Sequence, residues 1–470
     1  MSGLFGTLDM GNRALQAQMK GLEITGHNLA NVNNPGYARQ RLEVASVYQT
    51  NPTQPSQGSG IHITGINQIR DHLLDAQIYS EKSVTGFLQA KKEGLDYLEA
   101  GMGNLIDLIG EGSDAANGAS GINKLLGELT QNLHEVANNP ASRSARQAFV
   151  DSADALAKQL QGLDKQLNEL ESQLDAQTLT EAEEINNQLQ QLAELNLSIQ
   201  KVERGGSQRA NDLRDQRVEL LEKLSEKLSI NVSTQEDGRL LLRHQATVLV
   251  SGEDLVNTIA FETNDNNEIT LSWTNDANAF NPAEGRLGGL ADLKSGVLSD
   301  TRFETNDLAN GLMSILNEAH EAGFATDGST GRALFTGEDA AGIEVNTAIL
   351  NNPSLLQVAS RPDEPGNNEN IRAMIQALNT PSAALGGRTF AEAQIDLTSQ
   401  LGQSIRQTER ALQDQQAVES LMIQQRESIS GVSIDEEMTE LVKYQRAFQA
   451  SAKLIGIIDE MIGSVITLSR

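Results

Sequence analysis

Cysteine is absent from the 470-residue chain, which excludes disulfide staples, thiolate nucleophiles and cysteine zinc sites. Aromatic residues make up only 3%. Leu, Ala, Gln and Asn abound instead, the composition of long helices packed by aliphatic side chains rather than of a compact mixed core. Positive charge is also short: 36 Lys and Arg against 64 Asp and Glu leave a net charge of −28. Nucleic-acid phosphates and anionic lipid would repel such a chain, so neither is expected as a partner. No run of about 18 apolar residues occurs, and Met1 to Asp9 carry neither a basic leader nor a continuous apolar stretch. Membrane spanning and export by a cleaved signal are both unexpected; the chain reads as cytoplasmic unless an uncleaved signal exports it.

What is there is a pair of matching apolar repeats at opposite ends. Leu8, Leu15, Leu22 and Leu29 recur every seven residues, with Leu4 and Met19 between them. Ile434, Leu441, Phe448, Ile455 and Ile462 do the same near the C-terminus. Each end therefore offers a coiled-coil seam that must bury against the other end, the body or another copy. The first helix is expected from about Leu4 to Ala30. Pro35 stops it by removing a donor and pushing Asn34 out of the helical region, with Gly36 available for a type II turn. The last helix is expected to start at a capping box, Ser433 with Glu436, supported by Asp435 and Glu437 in its first turn. Ala447, Ala450, Ser451 and Ala452 would allow close helix approach.

Between the ends, residues 39–66 read as an extended arm with a hairpin. Leu88, Leu95, Met102 and Ile109 resume the seven-residue period, and Leu156, Leu160, Leu163, Leu167, Leu170 and Leu174 alternate spacings of four and three. Ile185, Leu189, Leu192 and Ile199, then Leu213, Leu220, Leu224 and Leu228, carry the pattern across expected breaks at Thr180 and Gly205-Gly206. The Gln-rich stretch 184–200 reads as a solvated helix face. Short β-prone runs follow at Ile230 to Val232, Leu240 to Leu242, Thr247 to Val250, Ile259 to Phe261 and Ile269 to Trp273, separated by the turn-forming clusters Glu236-Asp237-Gly238, Ser251-Gly252-Glu253-Asp254 and Asn264-Asp265-Asn266-Asn267. Helix returns near Leu290 to Ala322 and again over roughly 389–428, so the chain goes out and comes back.

The expected fold is mainly α: paired N- and C-terminal helices forming a coiled coil, a long-helix bundle and a small inserted β domain. Residues 1–50 and 431–470 supply the two halves of the terminal domain, and 51–228 the arm and bundle. The β domain covers 229–285, a helix and loop-rich region 286–388, and the returning helix 389–430. About three domains fit the length.

Enzyme motifs fail on inspection. His134-Glu135 and His320-Glu321 begin like a zinc-protease helix, but the second His position holds Asn138 in one and Phe324 in the other. No phosphate loop or nucleophile elbow is present. His320 reads as a helix-end residue bonding to the Gly323 to Gly328 turn, and Asp327-Gly328 as a turn, because too few spaced carboxylates follow for calcium. No catalytic residue, metal or cofactor is expected.

Three stretches taken together resemble the bacterial flagellar rod, hook and hook-associated family: Ala30-Asn31-Val32-Asn33-Asn34-Pro35-Gly36-Tyr37 at the start, and Asp435 to Met438, Lys443 to Lys453 and Ile458 to Met461 at the end. Asn317, His320, Gly323, Asp327, Gly328 and Phe335 are similar to an internal pattern of its junction members, with Leu334 where a second Phe is expected. The resemblance implies an axial structural subunit joining hook to filament, exported through the flagellum without a cleaved signal. Its implied partners are further copies in a ring or tubular layer, the hook protein, the second hook–filament junction protein, and an export chaperone on the C-terminal helix between Leu441 and Ile462. The expected assembly interface is Leu8, Leu15, Leu22, Leu29, Asn31, Pro35, Gly36, Tyr37, Met438, Leu441, Tyr444, Phe448, Ile455 and Ile462. One helix pair alone is energetically marginal, so both ends are expected to order fully only on assembly. Another axial protein of rod or hook type, or a soluble coiled-coil adaptor without axial assembly, remains the alternative.

Overall fold

The computed structural model describes residues 2–34, 36–48, 58–106, 121–204, 209–235, 239–263, 269–276 and 280–468. Pro35, Pro52, Pro55, Ile109, the Gly205-Gly206 pair and the turns expected at Glu236 to Gly238 and Asn264 to Asn267 lie outside these residues. The fold is mainly α with small antiparallel sheets. The chain forms two compact units, one from Met1–Gly86, Glu181–Gly285 and Asp414–Arg470, the other from Phe87–Thr180 and Arg286–Gln413.

The first unit holds α1 (Ser2–Ala30), the hairpin of β1 (Gln40–Tyr48) and β2 (Gly58–Gln68), and the start of α2 (His72–Ile106). The hairpin is antiparallel, Gln40 opposite Gln68, with register shifts after Glu43 and Ser46 that add twist. The end of α4 (Arg143–Glu203) buries Ile185, Leu189, Leu192 and Ile199 in this unit. On α5 (Asn211–Lys227) the buried apolar line runs through Val218, Leu221 and Leu224, continuing to Leu228 after the helix, rather than through Leu213 and Leu220, because Asn211 and Asp215 occupy the inward face of its first turns.

The β region also belongs here, as two sheets. β3 (Asn231–Thr234), β4 (Leu240–His244), β5 (Thr247–Ser251) and the short β6 (Asp254–Leu255) form one; β7 (Ile259–Thr263) and β8 (Ile269–Trp273) form the other. Asp254, expected in a turn, pairs with Ser251 across Gly252, whose φ of +61° permits the tight return. The face of α4 expected to be solvated carries two anchors for this region. Asn186 exchanges two bonds of 2.8 Å with the Ile259 backbone, and the buried Asn196 donates to Gly252 O.

The second unit has one large core. Leu156, Leu160, Leu163, Leu167, Leu170 and Leu174 are all 3% exposed or less, as an internal four-and-three repeat requires. They pack with α3 (Ile122–Asn138), α6 (Gly285–Leu293), α7 (Ser299–Glu321), the short α8 (Thr347–Asn351), α9 (Glu369–Leu378) and the start of α10 (Phe390–Ser430). Thr180 does not break α4: its hydroxyl donates back to Ala176 O, so the threonine stays within the helical ladder. A π-helical turn, Lys294–Leu298, links α6 to α7.

The internal motif builds a loop scaffold in this unit. Asn317 holds the Phe335 backbone by two bonds, 2.9 and 2.8 Å, and Phe335 and Leu334 are buried. Asp327 Oδ1 accepts from Ser329 N–H and hydroxyl, with Gly328 at φ +79°, which is the expected turn. His320 does not bond its side chain into the 323–328 turn. Its Nδ1 lies 2.7 Å from Arg332 O and its Nε2 accepts from Gln357 N–H at 3.0 Å, because the ring points inward from α7 and is fully buried. The two contacts fix the neutral Nδ1–H tautomer. Burial pushes its pKa down to about 4.

Candidate functional site

α1 packs along α11 (Ile434–Leu468) within the first unit. The centre of this pairing differs from the leucine repeat. Gly11, Ala17, Gly21, Ile24 and Asn28 are the buried line on α1, while Leu8, Leu15, Leu22 and Leu29 flank it, half-buried. Glycine is needed at two of these places. A Cβ on Gly21 would lie 2.6 Å from the Tyr444 ring, and one on Gly11 would lie 2.9 Å from Ile455. Close approach therefore comes from the glycines of α1; of the small residues on α11, Ala447 and Ser451 are half-buried, while Ala450 and Ala452 face solvent.

The pairing is locked at one end by a polar network around Asn28, which is 1% exposed. Its Nδ2 donates to Gln40 O at 3.0 Å and to Glu437 Oε2 at 3.1 Å. Its Oδ1 accepts from the Tyr37 hydroxyl at 2.6 Å and from Gln40 N–H at 3.0 Å. Every hydrogen-bonding position of the amide is thus filled. The Tyr37 proton goes to Asn28, so His27 Nδ1, 3.0 Å from the phenol oxygen, supplies an N–H there. Burial, and then the charges of Asp215, Asp212 and Glu437, hold the Tyr37 phenol protonated far above its ordinary range.

Arg39 completes the lock. Its Nε donates to Glu437 Oε1 at 2.6 Å and its Nη1 to Glu436 Oε2 at 2.5 Å, while its backbone N–H donates to Ser430 O. Glu436 thus spends its carboxylate on Arg39 instead of turning back as the capping-box partner of Ser433. The Arg39–Glu437 pair is the drier of the two, with Glu437 3% exposed against 63% for Glu436, and carries most of the lock. Beneath the lock, Arg70 donates to Gly36 O at 3.0 Å and to Asp215 Oδ1 at 2.9 Å, and Gln68 donates to the same oxygen. Burial raises the Asp215 carboxyl to about 6 against the opposing pull of Arg70.

The turn after α1 is closed by Tyr37 N–H to Asn34 O at 3.1 Å, and Asn31 Nδ2 caps His27 O. Of the expected interface residues, the structure brings Leu8, Leu15, Leu22, Leu29, Leu441, Tyr444, Phe448, Ile455 and Ile462 to half-buried positions on the two helices. Met438 is exposed, Tyr37 is buried inside the chain, and Asn31 and Gly36 lie at the turn. Asn28, Arg39 and Glu437 are the residues that sequence reasoning missed as a site. The available signal was a helix-interior Asn beside the leucine repeat, since Asn disfavours such positions unless its amide is used.

A large apolar surface stays open. Phe5 and Met19 on α1, and Ile434, Met438, Ile457 and Met461 on α11, are each about half exposed, at 46–56%. Among the described residues no helix is long and apolar enough to cross a membrane.

The family model described as the flagellar hook-associated protein FlgK helical domain matches residues 114–335. A second, the flagellar basal body rod FlgEFG protein C-terminal model, matches residues 423–468. Flagellar hook-associated protein 1 of Bacillus subtilis is 26% identical over 512 residues, covering 99% of this chain and 98% of its own. The Escherichia coli protein of the same name is 21% identical, with both chains covered completely at 100%. The structure of the flagellar hook junction protein FlgK from Burkholderia pseudomallei shares the fold, with a TM-score of 0.63 at 16% identity over 76% of this chain and 100% of that one. Matched along its length by hook-associated relatives and at two separate regions by flagellar family models, the chain is similar throughout to the flagellar hook-associated protein 1 family.

Proposed function

We propose that this chain is a structural, non-enzymatic subunit of the bacterial flagellum that polymerises at the distal end of the hook and forms the junction joining hook to filament. The observation that carries this reading is the incomplete burial of the α1–α11 pair. Its two helices are locked together at Asn28 and Glu437, yet large apolar side chains remain on their outer faces. A surface of that kind is stable in water when neighbouring copies cover it. Support comes also from relatives whose names place them at the flagellar hook and at the hook junction.

In this reading residues 1–50 and 431–470 form the terminal coiled-coil domain, and Leu8, Leu15, Leu22, Leu29, Met438, Leu441, Phe448, Ile455 and Ile462 contribute its assembly surface. Tyr37, Tyr444 and the 31–36 turn act one step back by fixing the pair that carries that surface. The arm and bundle of 51–228 with the returning 389–430, the β domain of 229–285 and the region 286–388 form the outer parts. The hook protein and the second junction protein contact the two ends of the layer, and an export chaperone covers Leu441 to Ile462 before assembly. Deleting residues 1–30 or 440–470 is expected to keep the chain out of the flagellar axis and to stop filament growth. Filaments growing on either truncated chain would refute the reading.

A further inference from the structure

The second unit buries a cation that none of its carboxylates meets. Arg146 stands in the first turn of α4 and is 5% exposed. Its Nε donates to Pro140 O at 2.9 Å, and its Nη1 to Leu356 O at 2.8 Å and to Ser354 O at 3.4 Å. All three acceptors are backbone carbonyls, and among the described residues no ion pair joins Arg146 to a carboxylate. Burial lowers its pKa, and no charge of either sign contributes to that shift. Carbonyl dipoles fill hydrogen bonds without balancing a charge, and the start of a helix is where the dipole favours an anion over a cation.

One nitrogen is left over. Nη2 has no acceptor among the described residues and is not sealed from solvent. Arg146 lines a cavity of about 290 Å³, close to the lower end of the range for small-ligand sites. One wall is Phe324 to Thr326, the stretch between Gly323 and Asp327 of the internal motif. Two backbone bonds between Phe324 and Ala359, 2.8 and 3.2 Å, tie that wall to the next. Phe324, Ala359 and Pro365 give the cavity its carbon surface.

The remaining charge sits on exposed residues at 361–364. Arg361 lies 3.9 Å from Glu364, and Asp363 is beside them. The lining therefore sums to zero, Arg146 and Arg361 against Asp363 and Glu364. A ligand with several negative charges would be repelled by these two carboxylates, whereas a single negative charge matches the one cation that has no counter-charge.

We propose that this cavity binds a single carboxylate on a short apolar stem, its oxygens on Arg146 Nη2 and its stem against Phe324 and Pro365. Contacts between a guanidinium and a carboxylate are charge-assisted, and Arg holds its charge even when buried. A free monocarboxylic acid and the end of a glutamate side chain from another protein share this chemistry. The site lies within the second unit, apart from the paired terminal helices, and does not depend on the assembly reading.

Titration of the full chain with propionate, at constant ionic strength against chloride and followed by alanine methyl resonances, tests it. Saturable shifts centred on Ala325 and Ala359 are expected, with none from propionamide, the neutral isostere. Arg146→Gln is expected to weaken propionate binding roughly tenfold or more, the loss of one charge-assisted contact. Because Arg146 also holds three carbonyls, Asp363→Asn supplies a second measurement, at an exposed position whose φ of +61° asparagine accepts. Removing that negative charge is expected to tighten binding about twofold. A glutamate blocked at its α-amino and α-carboxyl groups separates the two sources. Binding of both probes marks a protein side chain as the ligand, binding of propionate alone marks a free acid, and each outcome bears out the carboxylate site. Absence of saturable shifts at Ala325 and Ala359, equal shifts with propionamide, undiminished binding by a folded Arg146→Gln protein, or no tightening in Asp363→Asn would overturn the proposal.

Discussion

Asn28 on α1 donates to Glu437 on α11 at 3.1 Å, joining residues 409 positions apart in the chain. The same amide holds Tyr37 and both backbone groups of Gln40, so one side chain ties together α1, the turn after it, β1 and α11. Replacing Asn28 with Ala strips partners from the Gln40 amide and from Glu437 together, groups that cost about 1–3 kcal/mol each when left dry and unpaired. A total loss of about 3 kcal/mol is expected, read as faster amide exchange along α1 and α11. Unchanged exchange in both helices would contradict the role given to Asn28.

Gly21 and Gly11 predict a graded effect. At Gly21 an added methyl meets the rigid Tyr444 ring at 2.6 Å, whereas at Gly11 it meets Cγ1 of the aliphatic Ile455 side chain at 2.9 Å. Gly21→Ala is expected to destabilise the helix pair by about 1–3 kcal/mol through overpacking, offset in part by better helix propensity, and Gly11→Ala by less. Combining Gly21→Ala with Tyr444→Ala should recover part of the loss. A double-mutant cycle with no coupling between the two positions would rule out this packing.

His320 gives the second unit an acid limit. Its folded pKa lies near 4, below the ordinary 6.5, because burial and the Gln357 N–H at Nε2 favour the neutral ring. The unfolded chain therefore binds the extra proton first, and the stabilisation present above pH 6.5 is lost as pH falls toward 4. The loss is expected to reach about 2 kcal/mol at pH 5 and about 3 by pH 4. Urea unfolding of this unit at pH 7 and pH 5 measures it, with His320→Gln as the variant that should flatten the difference.

Asp215 gives the first unit the opposite slope. Burial raises its folded pKa to about 6 from 3.8, so the folded state holds a proton that the unfolded chain releases. The associated stabilisation is full below about 3.8 and is lost as pH rises through 6, making this residue's contribution about 1 kcal/mol greater at pH 5 than at pH 7. Asp215→Asn should remove that dependence while leaving the His320 slope in place. A pH profile unchanged by the substitution would show that the proton sits elsewhere.

The open faces of the terminal pair separate folding from assembly. Met438→Glu and Ile457→Glu change side chains that are 46% and 48% exposed, so the isolated chain should lose no more than about 0.5 kcal/mol. Polymerisation, followed by light scattering or by incorporation into the flagellar axis, is expected to fail in both. Normal polymerisation of the two variants would move the assembly surface away from α11.

Much of the architecture is legible in the chain because periodicity is a local property. The repeat Leu156 to Leu174 becomes a buried line in the second unit, the hairpin spans Gln40 to Gln68, two residues beyond the expected 39–66, and the β-prone runs become strands. The misses share one cause: a polar residue at an inward position leaves no periodic mark. Asp215 and Asn211 displaced the expected leucine line on α5, and Asn186 and Asn196 turned a face read as solvated into an anchor.

The sequence by itself determined the helical class, the out-and-back course and the two terminal motifs that carry the family resemblance, since each depends on residues near one another. Only the tertiary structure decided which residues hold the ends together. Hydrogen bonds between Asn28 and Glu437, and the fit of Tyr444 on Gly21, depend on distances set by the whole fold. It also decided that the leucines of the N-terminal repeat flank the seam: the glycine line brings the two helices close along its own axis and leaves Leu8, Leu15, Leu22 and Leu29 half open to whatever covers the pair.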